Sequence, residues 1–130
     1  MTVADAAGTI PAVLPVTGTV DLQTTGRRTG HQRWVEIWFV YVDGQLVVTG
    51  TPGARNWLAN LRSTPEARVR FRDPLREVAV VARLVKDPAE RRRLVPLIWE
   101  AQPWYAEQPF SMEDWVADAP LVVLTGTDHG

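Results

Sequence analysis

Residues 34–49 read WVEIWFVYVDGQLVVT and contain the clearest structural signal in this chain. The run from Trp34 to Val42 is almost entirely β-branched or aromatic, with Glu36 its only charged residue, and this composition predicts a strand. Asp43-Gly44 follows at once and predicts a hairpin, because both central residues of a type I′ turn need a positive φ. We therefore expect strands over 34–42 and 45–49. Because the first strand is apolar on both faces, we expect both faces to be covered, either in the middle of a barrel or at a subunit contact.

The flanking segments add further strands and short helices. Clean alternation over 68–72 puts arginines on one face and apolar residues on the other, as in a half-buried strand. Further strands are predicted over 20–23, 77–85 and 121–125. Helices are predicted over 55–62, 87–101 and 112–117, with Asn56 capping the first and Pro96 kinking or dividing the second. This pattern predicts an α+β, mainly β domain: a small antiparallel barrel with two or three short helices at its rim.

Composition limits the possible functions. The chain has 130 residues, is 45% hydrophobic and carries a net charge of −1, which predicts one domain over 20–126, an extended segment over 1–19 and a tail over 127–130. Without cysteine there is no disulfide or thiol chemistry, and with two histidines we expect no metal site. The charge argues against a nucleic-acid partner. No apolar run reaches the roughly 20 residues of a membrane span, and no secretory signal is recognised, so a cytoplasmic location is expected.

The loop TTGRRTG, residues 24–30, is a candidate anion site. Its glycines let the backbone approach a ligand closely, and its amides and threonine hydroxyls are hydrogen-bond donors. Arg27, Arg28 and the nearby Arg33 add positive charge of the kind that phosphate and carboxylate groups bind. The alternative interpretation is a solvated hairpin loop that is basic by chance.

A second candidate lies at 50–60, where a glycine-containing turn leads into a predicted helix. The free amides and the dipole at the start of a helix attract anions, and Arg55 stands at that point. Trp57 either stacks on a flat ring or fills the core. Asn60 either hydrogen-bonds the edge of such a ring or caps neighbouring backbone.

Together, the 24–30 loop, the 34–42 strand, the turn at 50–53 and the helix with Trp57-Leu58-Ala59-Asn60-Leu61 resemble the deazaflavin-dependent nitroreductase family. The resemblance runs from about Leu22 to Leu124 and is strongest over 22–61. It implies a flavin-reductase-like split β-barrel, of the FMN-binding split-barrel type, that binds coenzyme F420, a deazaflavin whose tail carries phosphate and oligoglutamate. It further implies an oxidoreductase that passes a hydride from reduced F420 to a small electron-poor acceptor such as a quinone, a nitroaromatic or an activated alkene.

By position, the resemblance implies a cofactor site formed by Thr25, Arg27, Arg28, Thr29, Gly30, Thr51, Gly53, Arg55, Trp57 and Asn60, to which its charge adds Arg33. One departure is Gly50-Thr51-Pro52-Gly53, where many members carry a Ser-Lys-Gly-Gly type of sequence, so that Arg55 is the candidate to replace the lysine. FMN is therefore kept as an alternative cofactor. A non-catalytic binder or carrier of F420, FMN or haem is the alternative function, and haem would require His31 as its axial ligand.

Two further predictions concern the proton donor and the assembly. Reducing a quinone or an activated alkene takes a proton as well as a hydride. Tyr105, in an aromatic loop, is a weak candidate donor and is preferred to Tyr41, although water can serve and both tyrosines can simply pack; no firm catalytic residue is assigned. The doubly apolar 34–42 strand and the six tryptophans predict a homodimer.

The remaining arginines are expected to be structural. Arg68, Arg70, Arg72 and Arg83 are predicted to form a solvated sheet face that pairs with carboxylates across the sheet, with Glu77 across the turn from Arg72. The alternative is that this face contacts a ligand or a second subunit. Arg91, Arg92 and Arg93 are predicted to form a solvated helix face.

Overall fold

Six antiparallel strands close into a barrel in the order β1-β2-β3-β6-β5-β4 in the computed structural model, which describes residues 10–11, 14–72 and 75–127. The strands are β1 (Thr17–Thr25), β2 (Gln32–Val42), β3 (Gln45–Thr49), β4 (Glu66–Arg72), β5 (Leu75–Leu84) and β6 (Leu121–Gly126). The helices are α1 (Asn56–Ser63), α2 (Pro88–Ala101), the 3₁₀ helix Pro103–Glu107 and α3 (Met112–Asp118). The predicted antiparallel barrel with short helices is confirmed.

The hairpin at Asp43-Gly44 has the predicted geometry. Asp43 and Gly44 have φ values of 56° and 69°, and Val42 pairs directly with Gln45. In β4 the side chains alternate as predicted, with Val69 and Phe71 buried inside the barrel.

The core has two parts. Side chains from all six strands and from α1 fill the barrel interior. A second cluster lies outside the barrel, where α2, the 3₁₀ helix and α3 cover β2, β3 and β6; Leu94, Ile98 and Trp115 are fully buried in it. The covering helices therefore depend on apolar contact with the sheet, since isolated helices of this length are marginal in water.

Several element boundaries differ from the predictions. β1 is longer than the predicted 20–23 strand, because it pairs with β2 along its whole length and with β4 over part of it. α2 runs unbroken through Pro96: buried side chains on both sides, Leu94, Val95 and Ile98, hold the helix although one hydrogen bond is missing. The predicted loop after α2 begins with the 3₁₀ helix. Residues 73 and 74, between β4 and β5, lie outside the described residues.

Although the barrel is closed, one edge of β2 is partly unpaired, and we call it the open edge of β2. β2 pairs with β1 from Gln32 to Val40, but it pairs with β3 only from Phe39 to Val42. Residues 32–38 therefore have no strand partner on the β3 side within the described part of the chain. The chain leaves β3 at Thr49 and runs through Gly50 and Thr51 toward α1 on this same side, which places α1 and its preceding turn beside the opening. None of the described helices is long and apolar enough to cross a membrane.

Candidate functional site

Asn60 ties the two predicted anion segments together. Its Oδ1 accepts hydrogen bonds from the Arg27 backbone N at 3.2 Å and from Arg27 Nη1 at 2.9 Å. Its Nδ2 donates to Thr24 Oγ1 at 3.1 Å, and both Asn60 and Thr24 are buried. Of the two interpretations of Asn60, the structure supports the one in which it satisfies neighbouring protein groups.

Several polar groups of the 24–30 loop form hydrogen bonds within the loop itself. Gly26 N donates to His31 O and Gly30 N donates to Gly26 O, both at 2.8 Å, and Thr29 Oγ1 accepts from His31 N at 3.1 Å. Gly30 has a φ of +73°, which favours glycine. The loop therefore offers fewer free amides than the sequence suggests, and its exposed cations, Arg27 and Arg28, remain its main anion-binding groups.

Arg55 is held in place at the start of α1. Its Nη2 donates to Thr51 O at 2.9 Å and to Thr51 Oγ1 at 3.1 Å, and Nη1 donates to Ala54 O at 3.2 Å. A Cβ built at Gly50 or Gly53 would lie 3.1 Å from the guanidinium, so small residues suit both positions. Arg55, and not the predicted Asn56, is the N-cap of α1, and its side chain makes no capping hydrogen bond, because it points back to the turn.

Trp57 lies in the barrel core. Only 9% of its surface is exposed, and it belongs to the same apolar cluster as Leu22, Val69 and Leu61. Of its two interpretations, the structure favours core packing. Thr25 is half-buried at the end of β1, and Arg33 is exposed near the start of β2.

A cleft of about 280 Å³ lies between the open edge of β2 and the turn before α1. Its lining residues come from three parts of the chain: Glu36, Ile37 and Trp38; Gly50, Thr51 and Arg55; and Trp104 and Tyr105. The Trp38 ring lies 5.3 Å from Trp104 and 5.7 Å from Tyr105, both edge to face. An apolar wall facing a fixed cation is typical of a site for a flat, partly charged ligand. Sequence reasoning missed Ile37, Trp38 and Trp104, and the signal available was the apolar stretch on both faces of β2.

Tyr105 is protonated at neutral pH in this cleft. It is 3% exposed, and burial raises the pKa of its phenol to about 12, against a smaller opposing effect of Arg55. The raised pKa keeps the phenol protonated over a wide range of pH but also makes it a weaker acid, since general-acid catalysis is most efficient when the pKa lies near the operating pH.

Five arginines form ion pairs with carboxylates: Arg68, Arg72, Arg83, Arg92 and Arg93. In the part of the chain that the structure describes, Arg70 does not form the predicted carboxylate pair, and its guanidinium lies 4.0 Å from the centre of the Trp34 ring. Glu77 pairs with Arg68, at 2.6 Å, and not with Arg72, which contacts Asp21 and Glu36. Within the described ranges, no carboxylate pairs with Arg27, Arg28 or Arg55. Positive charge is therefore left unneutralised around α1, although the whole chain carries −1.

Arg91 does not belong to a solvated face as predicted. Its guanidinium donates to Val85 O at 2.8 Å, Trp115 O at 3.2 Å, Val116 O at 2.6 Å and Ala119 O at 2.5 Å. Three of these carbonyls lie at the end of α3, where free carbonyls and the helix dipole favour a cation. Desolvation lowers the pKa of Arg91, and Asp118 opposes this shift.

Comparison of the sequence and the structure with known proteins assigns the chain to a family. The family model of the F420H(2)-dependent quinone reductases matches residues 2–125. No curated protein sequence matches the chain. Among solved structures, the F420-H2 dependent reductase FDR-A is 25% identical, with a TM-score of 0.58 over 88% of this chain and 99% of that one.

Two more distant structures share the split-barrel fold. A protein described as a domain-swapped dimer is 21% identical, with a TM-score of 0.61 over 94% of this chain and 90% of that one. HutZ, the haem storage protein of Vibrio cholerae, is 17% identical, with a TM-score of 0.62 over 85% and 82%. Since the family model covers nearly the whole sequence, this chain belongs to the F420H(2)-dependent quinone reductase family and is an oxidoreductase.

Proposed function

We propose that this chain binds reduced F420 and catalyses transfer of its hydride to a small electron-poor acceptor of the quinone, nitroaromatic or activated-alkene type. The observation that carries the proposal is the aromatic cleft lined by Arg55, a cation that has no carboxylate partner in the described chain. Asn60, on the helix that follows Arg55, holds a second such cation, Arg27. We place the reaction in the cytoplasm, where the sequence analysis predicts the protein.

The residues present fit F420. Its anionic tail matches Arg27 and Arg28 at the loop and Arg55 at the turn, because each offers donors that no carboxylate of the described protein neutralises. When bound, F420 supplies the hydride. With the cofactor in place, Trp38 and Trp104 exclude water from one side of the cleft, and Arg55 provides a positive charge on the other side.

The direct test combines binding and turnover. Tryptophan fluorescence is followed while F420 and, separately, FMN are added, and the oxidation of reduced F420 is then measured with menadione or a nitroaromatic as acceptor. We expect micromolar binding of F420, a weaker response to FMN and acceptor-dependent oxidation. Tight FMN binding instead would indicate a flavin enzyme on this fold, and F420 binding without turnover on any acceptor class would indicate a carrier.

A haem carrier receives no support from the described histidine. His31 is exposed in the β1–β2 loop, where only its backbone groups are engaged in turn hydrogen bonds. His129 lies outside the described residues.

We propose Tyr105 as the proton donor and predict that Tyr105→Phe lowers the turnover of quinone by about tenfold to a hundredfold while the Kd for F420 stays unchanged. Phe keeps the ring contacts and removes only the hydroxyl. Because the pKa of Tyr105 is raised to about 12, the wild-type rate should not fall through loss of this proton below about pH 10. Tyr41→Phe, on the exposed face of β2, is the control. Equal rates for Tyr105→Phe and wild type would assign the proton to water.

We propose that the protein is a homodimer, with the part of β2 around Trp34 and Val35, outside the lining of the cleft, in the interface. Trp34 and Val35 are each 37% exposed, and an unpaired apolar strand edge is a template for pairing with another chain. The relative described as a domain-swapped dimer is consistent with this. Light scattering should give about twice the 14.5 kDa of one chain.

Val35→Lys should shift this dimer toward the monomer, since a charged residue on a strand edge opposes pairing. Leu75→Lys is the matched control, because Leu75 is 75% exposed on β5, away from that edge. A monomeric mass for the wild type would overturn the assembly.

A further inference from the structure

The ring of Tyr105 stands between the cleft and the covered core. On the cleft side it contacts Trp38 and Trp104, with ring centres 5.7 and 5.8 Å away. On the other side it contacts Trp115 of α3, at 5.0 Å, the shortest distance among the aromatic pairs of the described residues. Trp115 is fully buried in the second core cluster and does not line the cleft. The cleft wall at Tyr105 therefore rests directly on Trp115.

The position of the Tyr105 hydroxyl depends on how its ring is packed. The side chains of Gln102 and Gln108 bind the backbone of Trp104, and within the described part of the chain neither they nor any other group forms a hydrogen bond with the Tyr105 hydroxyl. The ring is held by its aromatic neighbours instead. Because close-packed side chains in a core leave little room for rotation, a large buried ring behind Tyr105 restricts where the hydroxyl can point.

Trp115 contributes a ring and no hydrogen bond. Its indole N–H is buried and has no acceptor among the described protein groups. A buried donor without a partner lowers stability, so a hydrogen bond does not explain a tryptophan at this position. Trp99 packs edge to face on its other side, with ring centres 5.9 Å apart. Trp115 is therefore fixed between Trp99 and Tyr105.

The short helix α3 is held at both ends, which fixes the place of Trp115. At the start, Ser111 and Asp114 form a capping box: Ser111 N donates to Asp114 Oδ2 at 2.8 Å, and Asp114 N donates to Ser111 Oγ at 3.0 Å. At the end, Arg91 donates to the carbonyls of Trp115 and Ala119, at 3.2 and 2.5 Å. A helix of seven residues is marginal by itself, so these contacts decide where it lies.

We infer that Trp115 is a positioning residue for the reduction of the acceptor and that it acts by holding the phenol of Tyr105 at the cleft. This inference rests on the proposed function, with Tyr105 as the proton donor. Tyr105 gives its hydroxyl proton to the acceptor oxygen as the acceptor takes up the hydride, and water returns a proton to the phenolate. Such a transfer requires hydrogen-bond reach, so a small displacement of the donor lowers the rate.

The kinetic test uses a double-mutant cycle with menadione as acceptor. Trp115→Leu should lower kcat by about fivefold to tenfold and leave the KM for menadione and the Kd for F420 within about twofold. Trp115→Phe, which keeps a ring behind Tyr105, should stay within about threefold of the wild type. In the Tyr105→Phe background, Trp115→Leu should change kcat by less than about twofold, because no donor is left to misplace. The same loss in both backgrounds would overturn the inference.

A second measurement needs no cofactor. The chain has two tyrosines, so in the Tyr41→Phe background the absorbance of tyrosinate reports Tyr105 alone. Burial raises the pKa of Tyr105 to about 12, and Arg55 is the charged group that opposes the shift. Trp115→Leu should move the ionisation toward the usual value of about 10, because looser packing admits water to the phenol. Circular dichroism at each pH checks that the fold persists, and an unchanged titration would contradict the contact.

Phe71→Leu is the matched control for loss of a buried aromatic ring. Phe71 lies in the barrel interior, where its ring packs on Phe39 with centres 6.1 Å apart. Both variants should lower the thermal midpoint, but at a temperature well below both midpoints only Trp115→Leu should lower kcat.

The outcomes separate the two proposals. If the wild type binds F420 and reduces menadione, but Trp115→Leu keeps full kcat or Phe71→Leu loses as much, the inference is wrong and the proposed function stands. If the wild type neither binds nor oxidises reduced F420, both are wrong.

Discussion

Replacing Arg91 with Ala is expected to lower the free energy of unfolding by about 3 to 4 kcal/mol, because hydrogen bonds to a charged donor are lost and carbonyl groups in a partly buried site are left unsatisfied. The donors of Arg91 reach Val85 at the end of the sheet and the last turn of α3. The loss should lower the thermal midpoint by roughly 10 °C for a domain of this size. Thermal and chemical denaturation measure both quantities.

Arg91→Lys separates charge from geometry. A lysine keeps the cation near the end of α3 but cannot spread its donors over four carbonyls as a planar guanidinium does, so an intermediate midpoint is expected. Arg92→Ala is the neighbouring control: Arg92 pairs with Glu113 at the surface, and its loss should leave the midpoint nearly unchanged. If Arg91→Ala and Arg92→Ala had the same thermal midpoint, the hydrogen bonds from Arg91 to the carbonyls would make no net contribution to stability.

Local signals in the sequence were sufficient for much of the barrel. Asp43-Gly44 predicts its turn because the backbone requirement is local, and alternation along β4 shows which side chains enter the core. Arg91 shows the opposite case. In sequence it is one of three consecutive arginines, and only the tertiary packing brings three carbonyls from the end of α3, and that of Val85 after β5, to its guanidinium. The helix is not divided at Pro96, one of the two predicted outcomes, because buried contacts on both sides hold it together.

The candidate site rests in part on local motifs. They assign Arg27, Asn60 and Arg55 to one site, and in the structure Arg27 contacts Asn60 directly. The motifs did not show that β2 extends well beyond its pairing with β3, because strand register depends on tertiary pairing. The aromatic wall of Trp38 and Trp104 follows from that register and from the covering 3₁₀ helix. Neither the register of β2 nor the position of the 3₁₀ helix against it leaves a local pattern in a single sequence.

The second large effect concerns the 24–30 loop. Arg27→Ala with Arg28→Ala should raise the Kd for F420 more than tenfold, about 1.4 kcal/mol or more, because two unneutralised cations next to the cofactor are removed. Arg92→Ala with Arg93→Ala removes equal charge from α2 and should change the Kd little. Fluorescence titration gives both values, and an unchanged Kd in the Arg27, Arg28 variant would remove this loop from the site.

Asn60 allows a sharper form of the same experiment. Because its Oδ1 holds both the backbone N and Nη1 of Arg27, Asn60→Ala should weaken F420 binding through Arg27, as a positioning residue. In a double-mutant cycle, Arg27→Ala and Asn60→Ala should then be non-additive, with the double variant close to Arg27→Ala alone. Asn60→Ala should also lower stability by about 1 to 3 kcal/mol, since buried Thr24 loses its partner. Full additivity in the Kd would show that Asn60 acts on the fold and not on the placement of Arg27.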